Sequence, residues 1–274
     1  MACKVLAVVQ ARVGSTRLPG KVLKKVNGKP LIEILFHRLA QSKKIDKIIL
    51  ATSVNKENDP LERKIKKLGY DVFRGSENDV LGRYYNAAKP YSPKSIVRIT
   101  GDCPIIDPAI IDEVISLYEK ENADYASNTD PPTYPDGLDV EVFSFDSLIE
   151  ANEKAKTSHE REHVTPFIRE NNKLKNINLS IDTDLSKERW TVDGPEDLLV
   201  IENILNHFAP DLDFSWKDVL KLKKTRNMDK IAPTGIDLIQ VSVIGPTPES
   251  RLSVVTNRGS TLQRPSLYTT EYTI

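Results

Sequence analysis

Apolar residues open the chain as one short unbroken block, Val5-Leu6-Ala7-Val8-Val9, rich in β-branched side chains. A block of that length predicts a strand buried on both faces. A polar, glycine-containing stretch runs on to Lys21. The period then changes: Leu31, Ile34, Leu35, Arg38 and Leu39 fall on one face of a helix opened by Pro30, whose missing N–H costs nothing at that position. Further along, Ile48-Ile49-Leu50-Ala51, Asp71-Val72-Phe73 and residues 95–100 read as strands, with helices over 60–68 and 78–89 between them. This β-α-β-α-β-α-β order implies a parallel sheet with right-handed crossovers, and ligands of such sheets collect at the carboxyl ends of the strands.

Regularity weakens in the second half. A helix is expected over 109–120, a short strand over 124–126, a Pro-, Asp- and Thr-rich loop over 128–137 and a strand over 140–143. Helices over 145–156 and 159–170, strands near 176–182 and 189–192, and a helix from Pro195 to about 206 complete the pattern. From Ala232 to Ile274 there is no Lys, and Ser, Thr and Pro crowd the segment. One domain over 1–231 is expected, with 232–274 a flexible or appended tail. Leu238–Val243 leaves open a small strand-rich addition instead.

Charge balance narrows the partners. Lys plus Arg number 39 and Asp plus Glu 39, so no global field draws the chain to nucleic acid or to a membrane surface, and any polyanion must be met by a local cluster. Cys3 and Cys103 are the only cysteines, too few for a disulfide framework. The opening apolar run is too short for a secretory leader, so a cytoplasmic location is the expectation.

A local cationic cluster does exist. Directly after the first strand stands Gln10-Ala11-Arg12-Val13-Gly14-Ser15-Thr16-Arg17-Leu18-Pro19-Gly20-Lys21. Gly14 lets backbone N–H groups approach an anion, Ser15 and Thr16 add donors, and Arg12, Arg17 and Lys21 neutralise charge. Five residues separate Gly14 from Gly20-Lys21, and Val22 stands where a Walker loop needs Ser or Thr for Mg²⁺, so this is a different anion loop. Gly101-Asp102 ends the fourth expected strand, which brings Asp102 to the same crevice, where a carboxylate facing phosphates suits Mg²⁺. Asp193 is a second candidate, though it also suits the N-cap of the helix that Pro195 opens.

On these residues the sequence resembles the cytidylyltransferases that activate acidic sugars, the acylneuraminate and 3-deoxy-manno-octulosonate enzymes, and most of all their spore-coat polysaccharide branch. The resemblance continues through Arg98-Ile-Thr-Gly101-Asp102-Cys103-Pro104, Gly137-Leu-Asp139-Val-Glu141, Glu160-Arg161-Glu162-His163 and Arg189-Trp190-Thr191-Val192-Asp193, spanning about residues 4–230. It implies a three-layer α/β domain of the nucleotide-diphospho-sugar transferase type, Rossmann-like, with a mixed, mostly parallel sheet. It further implies CTP and an acidic sugar as substrates, Mg²⁺ or Mn²⁺ held by Asp102 and Asp193, and a homodimer. The nucleotide would lie on Gln10, Ala11, Arg12, Gly14, Ser15, Arg17, Lys21 and Arg98, with Arg12 and Lys21 against the leaving pyrophosphate.

Three assignments rest on the resemblance and keep a plain structural alternative. The loop holding Arg74, Ser76 and Asp79 offers donors and an acceptor for cytosine, but Ser76 or Asp79 also suits the N-cap of the next helix. Asp139 and Glu141 are candidate acceptor contacts or an ordinary turn into a strand. His159-Glu160-Arg161-Glu162-His163 matches the zinc-protease pattern, yet Pro166 follows closely and the rest of the chain speaks of nucleotide chemistry. His159 and His163 are left as acceptor contacts or as a charged surface or subunit-interface helix.

Overall fold

The computed structural model describes residues 3–226. The expectation for 232–274 lies outside the described residues. In chain order the strands are β1 (Val5–Gln10), β2 (Lys25–Val26), β3 (Lys29–Pro30), β4 (Lys47–Ser53), β5 (Asp71–Gly75), β6 (Ser95–Thr100), β7 (Tyr125–Ser127), β8 (Glu141–Ser144) and β9 (Asn176–Asn178). The helices are α1 (Leu31–Leu39), α2 (Asp59–Lys67), α3 (Val80–Ala88), α4 (Pro108–Glu121), α5 (Phe145–Lys154), α6 (Ser158–His163), α7 (Pro166–Arg169), α8 (Pro195–Phe208) and α9 (Trp216–Arg226).

Seven strands form one sheet in the order β5-β4-β1-β6-β8-β7-β9. β5, β4, β1 and β6 are parallel, β8 is antiparallel to both of its neighbours, and β9 is parallel to β7. The sheet is therefore mixed and mostly parallel. Alternation along β1 shows why it must be covered on both sides. Val5, Ala7 and Val9 pack with α1, α2, α4 and α8 through residues such as Leu35, Ile65, Ile111 and Ile204. Leu6 and Val8 pack on the other face with Leu81 and Tyr84 of α3, Leu148 of α5 and Ile168 of α7. This makes three layers, with β1 buried at the centre.

Local signals set several boundaries. Asn27 and Gly28 both take positive φ and close the β2–β3 hairpin, the conformation that an Asn-Gly pair favours. The Asp107 carboxylate caps α4 by accepting from Ala109 N–H, Pro108 takes the first turn, and Asn122 ends the helix in the left-handed region.

The second half departs from the expected pattern. A single helix over 159–170 is replaced by α6 and α7, because Val164 turns to φ 72° and Pro166 starts a new helix. Pairing of the strand expected over 176–182 stops at Asn178, where its three-residue partner β7 also ends. Residues 189–192 make no strand. They run along the carboxyl ends of the strands, where Trp190 N–H donates to Asp136 O and Val192 N–H to Asp102 O.

Candidate active site

A cleft of about 710 Å³ opens at the carboxyl ends of β1 and β6, lined by the loop after β1, the loop before α3, the turn after β6, one side of α6 and Asp193. Each wall has a local cause. Gly101 permits the turn after β6 to press on β1, since a Cβ there would lie 2.6 Å from Ala11 Cβ. The loop after β1 is pinned from beneath: Val13 N–H donates to the fully buried Asn58 side chain at 2.8 Å, and Val13 O accepts from Ser15 and Gly20 N–H.

At one end of the cleft, cations and carboxylates converge. Lys21 Nζ donates to Asp193 Oδ1 at 2.9 Å, to Asp102 Oδ2 at 3.3 Å and to Val192 O at 2.7 Å. Arg17 reaches the same Asp193 oxygen at 2.9 Å, and Arg189 holds the other at 2.7 Å. Arg189 also grips Asp136 at 2.6 Å and Asp197 at 3.0 Å, so one guanidinium ties the segment after β9 to the loop before β8 and to the start of α8. Asp197 in turn accepts from Asp193 and Gly194 N–H, satisfying the helix terminus. Burial opposes ionisation of Asp193, but Lys21, Arg189 and Arg17 outweigh it and hold the carboxyl below its ordinary range.

The opposite wall is built from the 76–79 loop, α3 and α6. Asp79 caps α3 by accepting from Gly82 N–H and pairs with Arg161 of α6 through two bonds of 2.8 and 2.6 Å. Gly82 leaves room for this pair, because a side chain there would run into the Asp79 carboxylate and lie 3.1 Å from Arg161 Nη2. The two roles left open for Asp79 are thus compatible: it is the helix cap and it also lines the cleft. Arg12 extends over this wall to Glu77 at 2.6 Å.

Among the residues singled out from sequence, Gln10, Ala11, Arg12, Ser15, Arg17, Lys21, Ser76, Asp79, Asp102 and Asp193 line the cleft. Seven stand elsewhere. Gly14 backs the loop against Glu57. Arg74 turns away to Asp59 at 2.6 Å, Glu62 at 2.7 Å and the carbonyl oxygens of Ser53 and Asn55. Arg98 and Glu141 face each other across β6 and β8 as a buried ion pair, and Tyr125 and Thr165 hydroxyls donate to the second Glu141 oxygen at 2.7 and 2.6 Å. Burial works against the Glu141 charge, yet Arg98 and these hydroxyls hold its carboxyl below the ordinary value. Asp139 stands between buried Leu138 and Val140 and does not line the cleft. His159 and His163 are exposed, with ring centroids 4.7 Å apart, and neither lines the cleft, which α6 faces through Ser158, Arg161 and Glu162. A six-residue helix cannot turn both its Arg161 side and its imidazoles inward.

Sequence reasoning did not give roles to Arg83, Arg161, Arg189 or Asp197. Their signal lay in the Arg189 and Arg161 motif blocks, but only the fold shows which carboxylate each arginine meets.

The family model described as Cytidylyltransferase matches residues 6–225. The chain belongs to the cytidylyltransferase family. The enzyme is 44% identical over 208 residues to an uncharacterized protein of Methanocaldococcus jannaschii, covering 75% of this chain and 84% of that one. It is 34% identical over 233 residues to the spore coat polysaccharide biosynthesis protein SpsF of Bacillus subtilis, covering 82% of this chain and 95% of that one. A third relative, the 8-amino-3,8-dideoxy-manno-octulosonate cytidylyltransferase of Shewanella frigidimarina, is 31% identical over 131 residues, 46% of this chain and 52% of that one. Among solved structures, a cytidylyltransferase from Leptospira borgpetersenii superposes with a TM-score of 0.80 at 34% identity, covering 85% of this chain and 99% of that one. This cytidylyltransferase is a CTP-dependent nucleotidyltransferase. Among its described residues no helix is long and apolar enough to cross a membrane.

Carboxyl groups crowd around Asp102, and each disfavours its neighbours' ionisation. Asp136 is raised by burial, with Arg189 opposing and Asp102, Asp193 and Asp197 adding to the rise. Asp139 is pushed up to about 7 by burial and by the nearby charges of Asp136, Glu141 and Asp102. Cys103 is buried, and burial with Asp102 and Asp139 pushes its thiol well up, which leaves it a packed residue rather than a thiolate. Asp102 and Asp193 converge on one cationic point, the Lys21 ammonium. Oxygen donors so arranged suit a hard divalent ion that takes one or two carboxylates and completes its shell with phosphate oxygens and water. No set of three or more ligating side chains gathers among the described residues.

Proposed function

We propose that the enzyme transfers CMP from CTP to a hydroxyl of an acidic sugar and releases pyrophosphate. The observation that carries this reading is the meeting, in one cleft, of the Arg12–Lys21 loop with the paired carboxylates Asp102 and Asp193. The loop supplies three cations for the triphosphate. Arg12 and Arg17 are half-exposed or more and exchange their carboxylate partners for phosphate oxygens at little cost, whereas Lys21 is fixed at 13% exposure beside the carboxylates. In-line attack by the acceptor hydroxyl on the α-phosphorus then needs chiefly positioning and charge stabilisation, with Arg12 and Lys21 against the departing pyrophosphate. Asp102 and Asp193 would hold Mg²⁺ or Mn²⁺, which supplies charge neutralisation and lowers the pKa of a bound hydroxyl. Asp136, tied through Arg189 to Asp193, borders the carboxylate end, where the acceptor would enter. The acidic sugar is supported by the relative from Shewanella frigidimarina, an 8-amino-3,8-dideoxy-manno-octulosonate cytidylyltransferase, and by the likeness to the spore-coat protein. A homodimer belongs to the same reading.

Pyrophosphate release from each of the four NTPs, measured across eight- and nine-carbon sugar acids and sugar phosphates, tests it. The expected result is release from CTP with a sugar acid only. Release with sugar 1-phosphates alone would replace the acceptor class, and sedimentation at micromolar concentration decides the dimer.

A further inference from the structure

The 74–79 loop offers one arginine to a nucleobase by sequence, but Arg74 is engaged away from the cleft by two carboxylates and two carbonyls. A different arginine takes the cleft position. Arg83, on α3, is 3% exposed and lines the cleft. Its Nη1 donates to the carbonyl oxygens of Ser76 and Glu77, while its Nε–H is buried with no hydrogen-bond partner among the described residues. Its stem lies over Gly75, where an added Cβ would come within 3.2 Å of Arg83 Cγ and 2.9 Å of Phe73. The glycine is what seats the arginine.

The same cleft carries a second orphan. Leu6 and Val8 of β1 point toward α3, and Gln10 is the next residue in that row. Tyr84, adjacent to Arg83, donates its hydroxyl to Val8 O at 3.2 Å and fixes α3 over this end of β1. Gln10 lines the same cleft, and its Oε1 is buried without a hydrogen-bond partner. An orphan acceptor and an orphan donor in one cleft are unfavourable until a ligand satisfies them.

We propose that Arg83, with Gln10, reads the pyrimidine of the nucleotide and sets the preference for cytosine. This rests on the enzyme's use of CTP and names the groups that choose it. Cytosine places an amine beside a ring nitrogen that accepts, the complement of a Gln10 carbonyl beside an Arg83 N–H. Uracil reverses both positions. The Gln10 amide can rotate to meet uracil's carbonyl, but a guanidinium only donates, so it opposes uracil's ring N–H. Arg83 is therefore the discriminating member and Gln10 the adaptable one. Adenine shares the amine and acceptor pattern, so this pair separates cytosine from uracil and not from adenine.

Calorimetric titration of the full chain with CTP, UTP and inorganic tripolyphosphate separates base reading from phosphate binding. Arg83→Met is expected to weaken CTP roughly 10- to 100-fold, to leave tripolyphosphate unchanged and to bring the CTP:UTP ratio toward unity. Arg83→Lys, which keeps a donor, restores part of that ratio. Gln10→Leu, a milder change for folding, is expected to weaken CTP about tenfold with tripolyphosphate again unchanged. Equal loss of all three ligands in Arg83→Met would make Arg83 a phosphate seat and overturn the proposal. So would a wild-type CTP:UTP ratio kept in Gln10→Leu and in whichever Arg83 variant folds. Equal binding of CTP and UTP by the wild type would instead remove the nucleotide preference itself.

Discussion

Two parts of this molecule hold charge at the edge of the same sheet, and they do it in opposite ways. In the loop after β1, Arg12, Arg17 and Lys21 meet Glu77, Asp193 and Asp102 through bonds that remain open to solvent on at least one side. Across β6 and β8, Glu141 is 6% exposed and its two oxygens are taken up by Arg98, Tyr125 and Thr165. The first arrangement can trade partners with a ligand. The second leaves neither Glu141 oxygen free and joins β6, β7, β8 and the turn between α6 and α7. A charged residue in a motif can therefore serve the chemistry or brace the wall beside it, and the count of internal partners tells which.

The largest expected consequence falls on the open side. Asp102→Asn and Asp193→Asn keep shape but remove the charges proposed to hold the divalent ion, and each should lower kcat by about 10²–10³ with little change in melting temperature. Steady-state pyrophosphate release with a Mg²⁺ titration checks this; near wild-type turnover in Asp193→Asn would leave Asp193 as a helix-start residue held by Arg189. On the closed side, Glu141→Ala strands a buried Arg98 and should cost about 3–5 kcal/mol of stability. Denaturant unfolding reads that number, and a full loss of turnover without loss of stability would make Glu141 a substrate contact after all.

An intermediate case is Asp79, both a cap and an ion-pair partner. Asp79→Ala removes the α3 cap, worth about 1 kcal/mol, and releases Arg161, so the nucleotide KM should rise by about tenfold while kcat changes less. An unchanged KM with only a lower melting temperature would reduce Asp79 to its capping role.

A smaller effect concerns pH. Burial and the charges of Asp136, Glu141 and Asp102 raise Asp139 to about 7 from an ordinary value near 4. A carboxyl raised on folding binds its proton more tightly in the native state, so metal-free protein loses stability from this group as pH rises from about 4 to about 7 and no further above that. Asp139→Asn should raise the melting temperature at pH 8 and leave it unchanged near pH 4, by scanning calorimetry without divalent ions. The reverse pattern would mean that Asp139 is held as a paired anion. The smallest expected change is for His159→Ala with His163→Ala: exposed rings outside the cleft should leave CTP binding unaltered and purified protein free of stoichiometric zinc, by calorimetry and elemental analysis.

The apolar periodicity alone determined the alternation of strands and helices from Val5 to Thr100, because a doubly covered parallel sheet requires long buried runs separated by amphipathic helices. It also placed the Gln10–Lys21 loop and Asp102 at strand ends, and a parallel sheet brings such ends to one edge. Beyond that point the helices over 109–120, 145–156 and from Pro195 and the short strands over 124–126 and 140–143 were legible too, but strand lengths and pairing were settled by tertiary structure. The strand expected over 176–182 pairs only as far as its three-residue partner β7 runs, and 189–192 is an extended segment that bonds to loops rather than to a strand. Side-chain roles were decided in the same way. Arg74 and Arg83 are both arginines flanking one loop, and sequence distance favours the first as the reader. Only the packing of α3 over β1, with Gly75 making room, turns Arg83 into the cleft while Asp59 and Glu62 draw Arg74 out. Local chemistry names the groups that can act, but which of them faces a ligand is settled by partners far away in sequence.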